Sequence, residues 1–154
     1  MKLEDLYPYW PAAHEELVDK LRYIDDAAWE AAPLGPGFGS IRLLVQRYIN
    51  FERHWMIEIV QGRKAEAVTA SMLHGREDYI SEFKSVRAAT DHYLAALPSD
   101  ALRSVRTAPA DPVINEIERN VPLSWILWRL MEEELMTFGQ IRALVDYSKP
   151  RMQR

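Results

Sequence analysis

Four stretches of this 154-residue chain repeat apolar residues at helical spacing, and breaks containing Pro or Gly separate them. A chain patterned this way buries its stripes by packing helix on helix, so the expected fold is all-α. The first stretch, Trp10 to Ala31, has Pro11 in its first turn and sets Leu17, Leu21 and Ile24 on one face before the breaker at Pro33 to Gly37. The second opens at Ser40, a residue type that caps helix N-termini, and runs to Gln61-Gly62 with Ile41, Leu44, Tyr48, Phe51, Trp55 and Ile59 in register. The third, Glu77 to Leu97, carries Ile80, Phe83, Val86, Tyr93 and Leu94 and stops at Pro98. The fourth, Leu123 to Tyr147, is apolar on most sides, which marks a central helix or one that also meets a partner. Between the third and fourth the period changes. Leu102, Val105 and Thr107, then Val113, Asn115 and Ile117, flank Pro109 to Pro112 and read as two short extended pieces around a turn. The expectation is an up-down-type four-helix bundle with a short hairpin between its last two helices, forming one domain over residues 1–154.

Composition narrows the function classes. With 19 Lys+Arg against 23 Asp+Glu, a formal charge of −4, and basic residues scattered along the chain, nucleic-acid binding is disfavoured. The absence of cysteine removes disulfides, thiolate zinc sites and a Cys nucleophile, and fits a reducing cytoplasm. Glu4 and Asp5 stand where a signal peptide would be basic and then apolar, and no apolar run is long enough to span a bilayer, so a cytoplasmic, unanchored protein is expected. There is no Gly-rich phosphate loop, no nucleophile elbow and no pair of histidines at i,i+4.

On a helical wheel the second helix carries Arg47, His54 and Glu58 on a polar seam at the edge of its apolar arc, and the fourth carries Arg129, Glu133, Thr137 and Gln140 on a comparable seam. Two readings fit these seams: solvated helix borders, with Arg129 and Glu133 an i,i+4 pair, or the lining of a pocket. Glu52 and Glu134 differ, because each falls in the middle of its apolar arc. A core carboxylate needs a hydrogen-bonding partner, such as backbone or the indole N–H of one of the five tryptophans, and a structural use is favoured over an acid/base role. Of the four histidines only His54 lies on a seam.

The stretches Ser40 to Arg47 with Glu52 to Trp55, and Trp125 to Leu127 through Glu134 to Arg142, resemble the DinB-like (YfiT-like) family of bacterial four-helix-bundle proteins. The resemblance implies a divalent metal held by three histidines, one on the second helix and two at i,i+4 on the last. It also implies relatives that are thiol-dependent transferases and isomerases, commonly homodimeric. At the corresponding positions this sequence has Arg47, Glu133 and Thr137. A guanidinium has no lone pair for a metal, so no cofactor is expected, and Arg47 is expected to act as a built-in cation pairing with Glu133 in a buried site flanked by Arg129. The main expectation is a scaffold or small-anion-binding protein without hydrolase activity. The alternative is a thiol-dependent enzyme of the family's type, with or without a metal relocated to His54, Glu58 and Glu133. A homodimer is the expected assembly, with Trp125, Met136 and Ala143 as surplus apolar residues on the last helix.

Overall fold

The structure is a computed structural model that describes residues 1–32, 39–107 and 120–148. It is mostly helical, as the periodicity requires: α1 (Leu3–Leu6), α2 (Trp10–Arg22), α3 (Asp26–Glu30), α4 (Ile41–Arg53), α5 (Arg76–Ala95) and α6 (Leu123–Ser148), with a π-helical turn at His54–Val60 and a 3-10 turn at Ser99–Arg103. The expected single helix from Trp10 to Ala31 is two. The Asp25 carboxylate accepts the Ala28 N–H at 2.7 Å, capping α3 and ending the register of α2. The breaker at Pro33 to Gly37 lies outside the described residues. Ser40 caps α4 as expected, accepting from the Leu43 N–H at 3.3 Å. Beyond Arg53 the helix widens to π geometry, and it closes at Gly62, whose φ of 63° suits a residue without Cβ.

The hairpin is present but differs from expectation. β1 (Val105–Thr107) pairs antiparallel with β2 (Asn120–Pro122), Val105 opposite Pro122 and Thr107 opposite Asn120. The partner strand thus sits directly before α6, where Val121 is buried in the same apolar cluster as Leu123 and Ile126. The expected second piece at Val113 to Ile117 lies outside the described residues.

Helix directions follow from the pairings. Along α4 and α6 residue numbers run oppositely, with Arg47 meeting Gln140 and Trp55 packing edge-on against Trp125. Along α4 and α5 they rise together, with Arg42 meeting Tyr79, Glu52 meeting Arg87 and Thr90, and Met56 and Gln61 facing Val86 and Ala96 across one cavity. These two helices point the same way, so a strict up-down succession is not what the pairings give. Residues 61–75 return along α4, and its side chains hold them there. The Val68 carbonyl accepts from Gln46 at 3.2 Å and Asn50 at 2.9 Å, and the Val68 N–H donates to Asn50 Oδ1 at 2.7 Å.

Two apolar clusters fill the interior, one around Leu17, Leu21, Ile41 and Phe83, the other around Trp55, Leu94, Ile126 and Leu127. Glu52 and Glu134 are buried with Arg87 of α5 between them. The Arg87 guanidinium donates to Glu52 Oε1 and Oε2, each at 3.1 Å, and to Glu134 Oε2 at 2.7 Å. Thr90 donates to Glu52 at 2.7 Å, the Trp10 indole N–H donates to Glu134, and His14 Nδ1 lies 2.6 Å from Glu134 Oε1. Tyr48 accepts from Arg87 at 2.8 Å, and the Trp10 ring lies against the guanidinium, 4.2 Å from Cζ to ring centroid. Burial works against the Arg87 charge, but Glu52, Tyr48 and Glu134 outweigh it and hold the guanidinium well above its ordinary range. For Glu134 burial likewise raises the carboxyl, yet Arg87 and then His14 reverse the direction and leave it lowered.

Replacing Arg87 by Met would leave two carboxylates buried without their cation. A loss of about 3–5 kcal/mol in a urea melt is expected, and a loss below about 0.5 kcal/mol would show that water or another cation replaces it. Because the folded Glu134 carboxyl is lowered, its stabilisation is full above the ordinary value of 4.5 and is lost as pH falls through the lower folded value. Melting temperatures of wild type and Glu134→Gln are therefore expected to converge on acidification; parallel curves would contradict the shift.

Candidate functional site

The long apolar faces of α4 and α6 pack together, and this places their polar borders side by side along one edge of the bundle. Arg47 comes from α4 and Glu133, Thr137 and Gln140 from α6. Arg47 Nη2 donates to Gln140 Oε1 at 3.2 Å and lies 3.6 Å from Glu133 Oε1. The pair expected from the sequence is therefore close in space, but it is not the buried pair expected: the Arg47 side chain is 56% exposed and that of Glu133 18%. Water reaches the guanidinium because α4 turns its apolar arc, Leu44, Tyr48 and Val45, inward and leaves position 47 at the rim.

Arg129 does not join that pair. Its guanidinium bonds Glu132, three residues on, in place of the expected Glu133, and lies 5.9 Å from the Trp125 ring centroid. The reason is competition: Glu133 faces Arg47, while Glu132 is the free carboxylate within reach on the helix surface. Arg129 Nε and Thr137 Oγ1 are buried polar atoms without a hydrogen-bond partner among the described residues.

Farther along α4, in the π turn, His54 Nδ1 lies 2.7 Å from Glu58 Oε2, and the second Glu58 oxygen accepts the Ala65 N–H at 3.1 Å. The Ala65 N–H, then His54, hold the Glu58 carboxyl below its ordinary value. Aromatics continue from there, from the buried Trp55 to the exposed Trp128. His54 meets Trp55 edge-on at 6.0 Å, Trp55 meets Trp125 at 5.8 Å, Phe51 lies 6.3 Å from Trp55, and Trp128 is 6.5 Å from Trp125.

The three-histidine metal set implied by the family resemblance does not fit these side chains. At its positions stand a guanidinium without a lone pair, a carboxylate beside that guanidinium, and the Thr137 hydroxyl, which is buried and unpartnered. The relocated set of His54, Glu58 and Glu133 is not assembled either. Glu133 faces Arg47, the His54 Nδ1 is taken by Glu58, and among the described residues no three His, Asp or Glu side chains are grouped to hold a metal ion.

The indole N–H expected to partner a core carboxylate is that of Trp10, on Glu134, whereas nothing in the sequence reading singled out Arg87, Thr90 or His14 as partners of the buried acids. Arg87 could have been found by the criterion that singled out Glu52 and Glu134, since it follows Phe83 by four positions and precedes Leu94 by seven on the buried face of α5. His14 occupies a comparable place, one turn before the buried Leu17 and Val18. Because the Arg47 guanidinium is solvated and 3.6 Å from Glu133, Arg47→Ala is expected to change stability by no more than about 1 kcal/mol in a urea melt. A loss near 3 kcal/mol would mean the pair is desolvated in solution.

The fold and these positions can be set against known proteins. A solved structure of a conserved protein from Enterococcus faecalis superposes with a TM-score of 0.58 at 17% identity, covering 94% of this chain and 96% of that one, a likeness of fold. No curated protein matches the sequence. The family profile described as mycothiol-S-transferase, a DinB/YfiT-like family, matches residues 6–145. That span includes α2 through nearly all of α6, the aromatic run and both polar seams, and the chain belongs to the mycothiol-S-transferase family.

Proposed function

We propose that this protein transfers or conjugates a low-molecular-weight thiol, as the family's description implies, and does so without a three-histidine metal centre. The observation that carries this reading is the Arg47, Glu133 and Thr137 set on the facing α4 and α6 seams, inside the span matched by the family profile. Arg47 is a permanent cation at the rim, held by one 3.2 Å hydrogen bond and a 3.6 Å ion pair. A guanidinium placed this way offers planar donors to the negative charge of a thiolate or of a leaving group as it develops. Its exposure keeps it accessible to a small substrate.

A second reading is the binding of a small anion without turnover. Arg129 favours it, because Nε is a buried donor with no partner among the described residues. The family match weighs toward the transferase.

The test is turnover by protein dialysed against a chelator, with mycothiol, glutathione or cysteine as thiol and an activated aryl halide as electrophile. Thiol-dependent product, unchanged by the chelator and lowered about tenfold in kcat/KM by Arg47→Ala, is the expected result, corresponding to ~1.4 kcal/mol of transition-state stabilisation. Turnover only on adding a divalent ion would overturn the metal-free reading. Calorimetric binding of a small carboxylate or phosphate, without turnover for any thiol, would favour the anion-binding reading.

A further inference from the structure

We propose that His54 is the proton acceptor of this site, that Glu58 positions it, and that the aromatic run beside it seats a planar, apolar co-substrate. The proposal rests on the thiol-transfer reading and names the residue that would make the thiolate. Glu58 is fixed from both sides: one oxygen accepts the Ala65 N–H of the returning segment at 3.1 Å, the other lies 2.7 Å from His54 Nδ1. An ionised carboxylate can only accept, so Nδ1 carries the hydrogen, and in the neutral ring Nε2 presents its lone pair. That orientation is the one a base requires, and Nε2 makes no hydrogen bond among the described residues.

Access and neighbours fit the role. The His54 and Glu58 side chains are 30% and 32% exposed, enough for a small thiol to reach the ring while Glu58 stays held. The π turn is a rare widening of the helix of a kind that recurs at functional sites, and it carries this dyad. Trp55, itself buried, lies edge-on to the imidazole and packs against Trp125, which lies beside Trp128, 40% exposed. Arg129 lies 5.9 Å from the Trp125 ring centroid. A planar apolar electrophile is the class such a surface takes, by stacking on Trp128 and the accessible part of Trp125, with Arg129 favouring one that carries an acidic group.

The step is balanced as follows. The thiol S–H proton passes to His54 Nε2, giving imidazolium. The sulfur electron pair forms a C–S bond at the electrophilic carbon, the bond to the leaving group breaks with its electron pair, and the imidazolium returns the proton to that group or to water. No metal and no redox partner enters.

The test is steady-state kinetics of chelator-treated protein with glutathione and an aryl halide bearing a carboxylate. His54→Gln is expected to lower kcat about 100-fold with KM nearly unchanged, and Glu58→Gln to lower it about tenfold while leaving the melting temperature in place. His54→Ala is expected to regain activity on addition of free imidazole, which a merely structural role for His54 would not produce. A His54→Gln variant within about twofold of wild type, or a loss that imidazole does not restore, would overturn the proposal while thiol transfer stands. If wild type gives no thiol-dependent product at all, the thiol-transfer reading falls, and the proposal with it.

Discussion

Two carboxylates from different helices lie in the middle of the apolar interior, and the rest of the architecture is arranged to keep them there. Glu52 of α4 and Glu134 of α6 cannot stay ionised and dry without a cation and several donors. α5 brings Arg87 and Thr90, α2 brings Trp10 and His14, and α4 adds the Tyr48 hydroxyl, whose proton is held by burial and then by the Glu134 charge. Every long helix therefore contributes to one hydrogen-bonded set. Apolar side chains alone would let such helices slide by a residue at modest loss, whereas a slip here would strand a charge. The set also joins the two apolar clusters, since Tyr48 belongs to one and Trp10 to the other.

That fixed interior gives the outer edge of the α4 and α6 pair its geometry. With Glu52 and Tyr48 turned inward, Arg47 is left at the rim and Phe51, His54 and Glu58 follow along the border. With Glu134 inward, Glu133 and Trp125 come to face them. The returning segment 61–75 has a double role: it makes the parallel arrangement of α4 and α5 possible, and its Ala65 N–H clamps Glu58. The His54 and Glu58 pair, Trp125, Trp128 and two arginines thus lie on the α4 and α6 helices and the π turn that extends α4, within the span that identifies the family.

Much of this was legible in the chain. The 3.6-residue period located the helices, the Ser40 cap and the Gly62 end were readable as chemistry, and the charges at Glu52 and Glu134 stood out against their apolar arcs. The resemblance in Ser40 to Arg47 and Trp125 to Arg142 pointed to the family that the profile match names. Other features were hidden for identifiable reasons. Asp25 splits the first helix because a short carboxylate competes for the backbone of its own turn, an effect that does not interrupt the apolar spacing. Beyond Arg53 the π turn changes the angular step, so a wheel drawn at a constant step loses registry there.

Sequence by itself determined that the chain is helical, which faces are apolar, and that two acids sit where acids must be partnered. These are properties of spacing and side-chain chemistry, fixed before any helix meets another. Only the tertiary structure decided that Arg87 and His14 are the partners, that α4 and α5 point the same way, that Arg47 is solvated instead of buried, and that Arg129 turns to Glu132. Each of these depends on which helix faces which and at what depth. Long side chains such as Arg reach several alternative carboxylates, and the choice among them is made by packing between residues far apart in the chain.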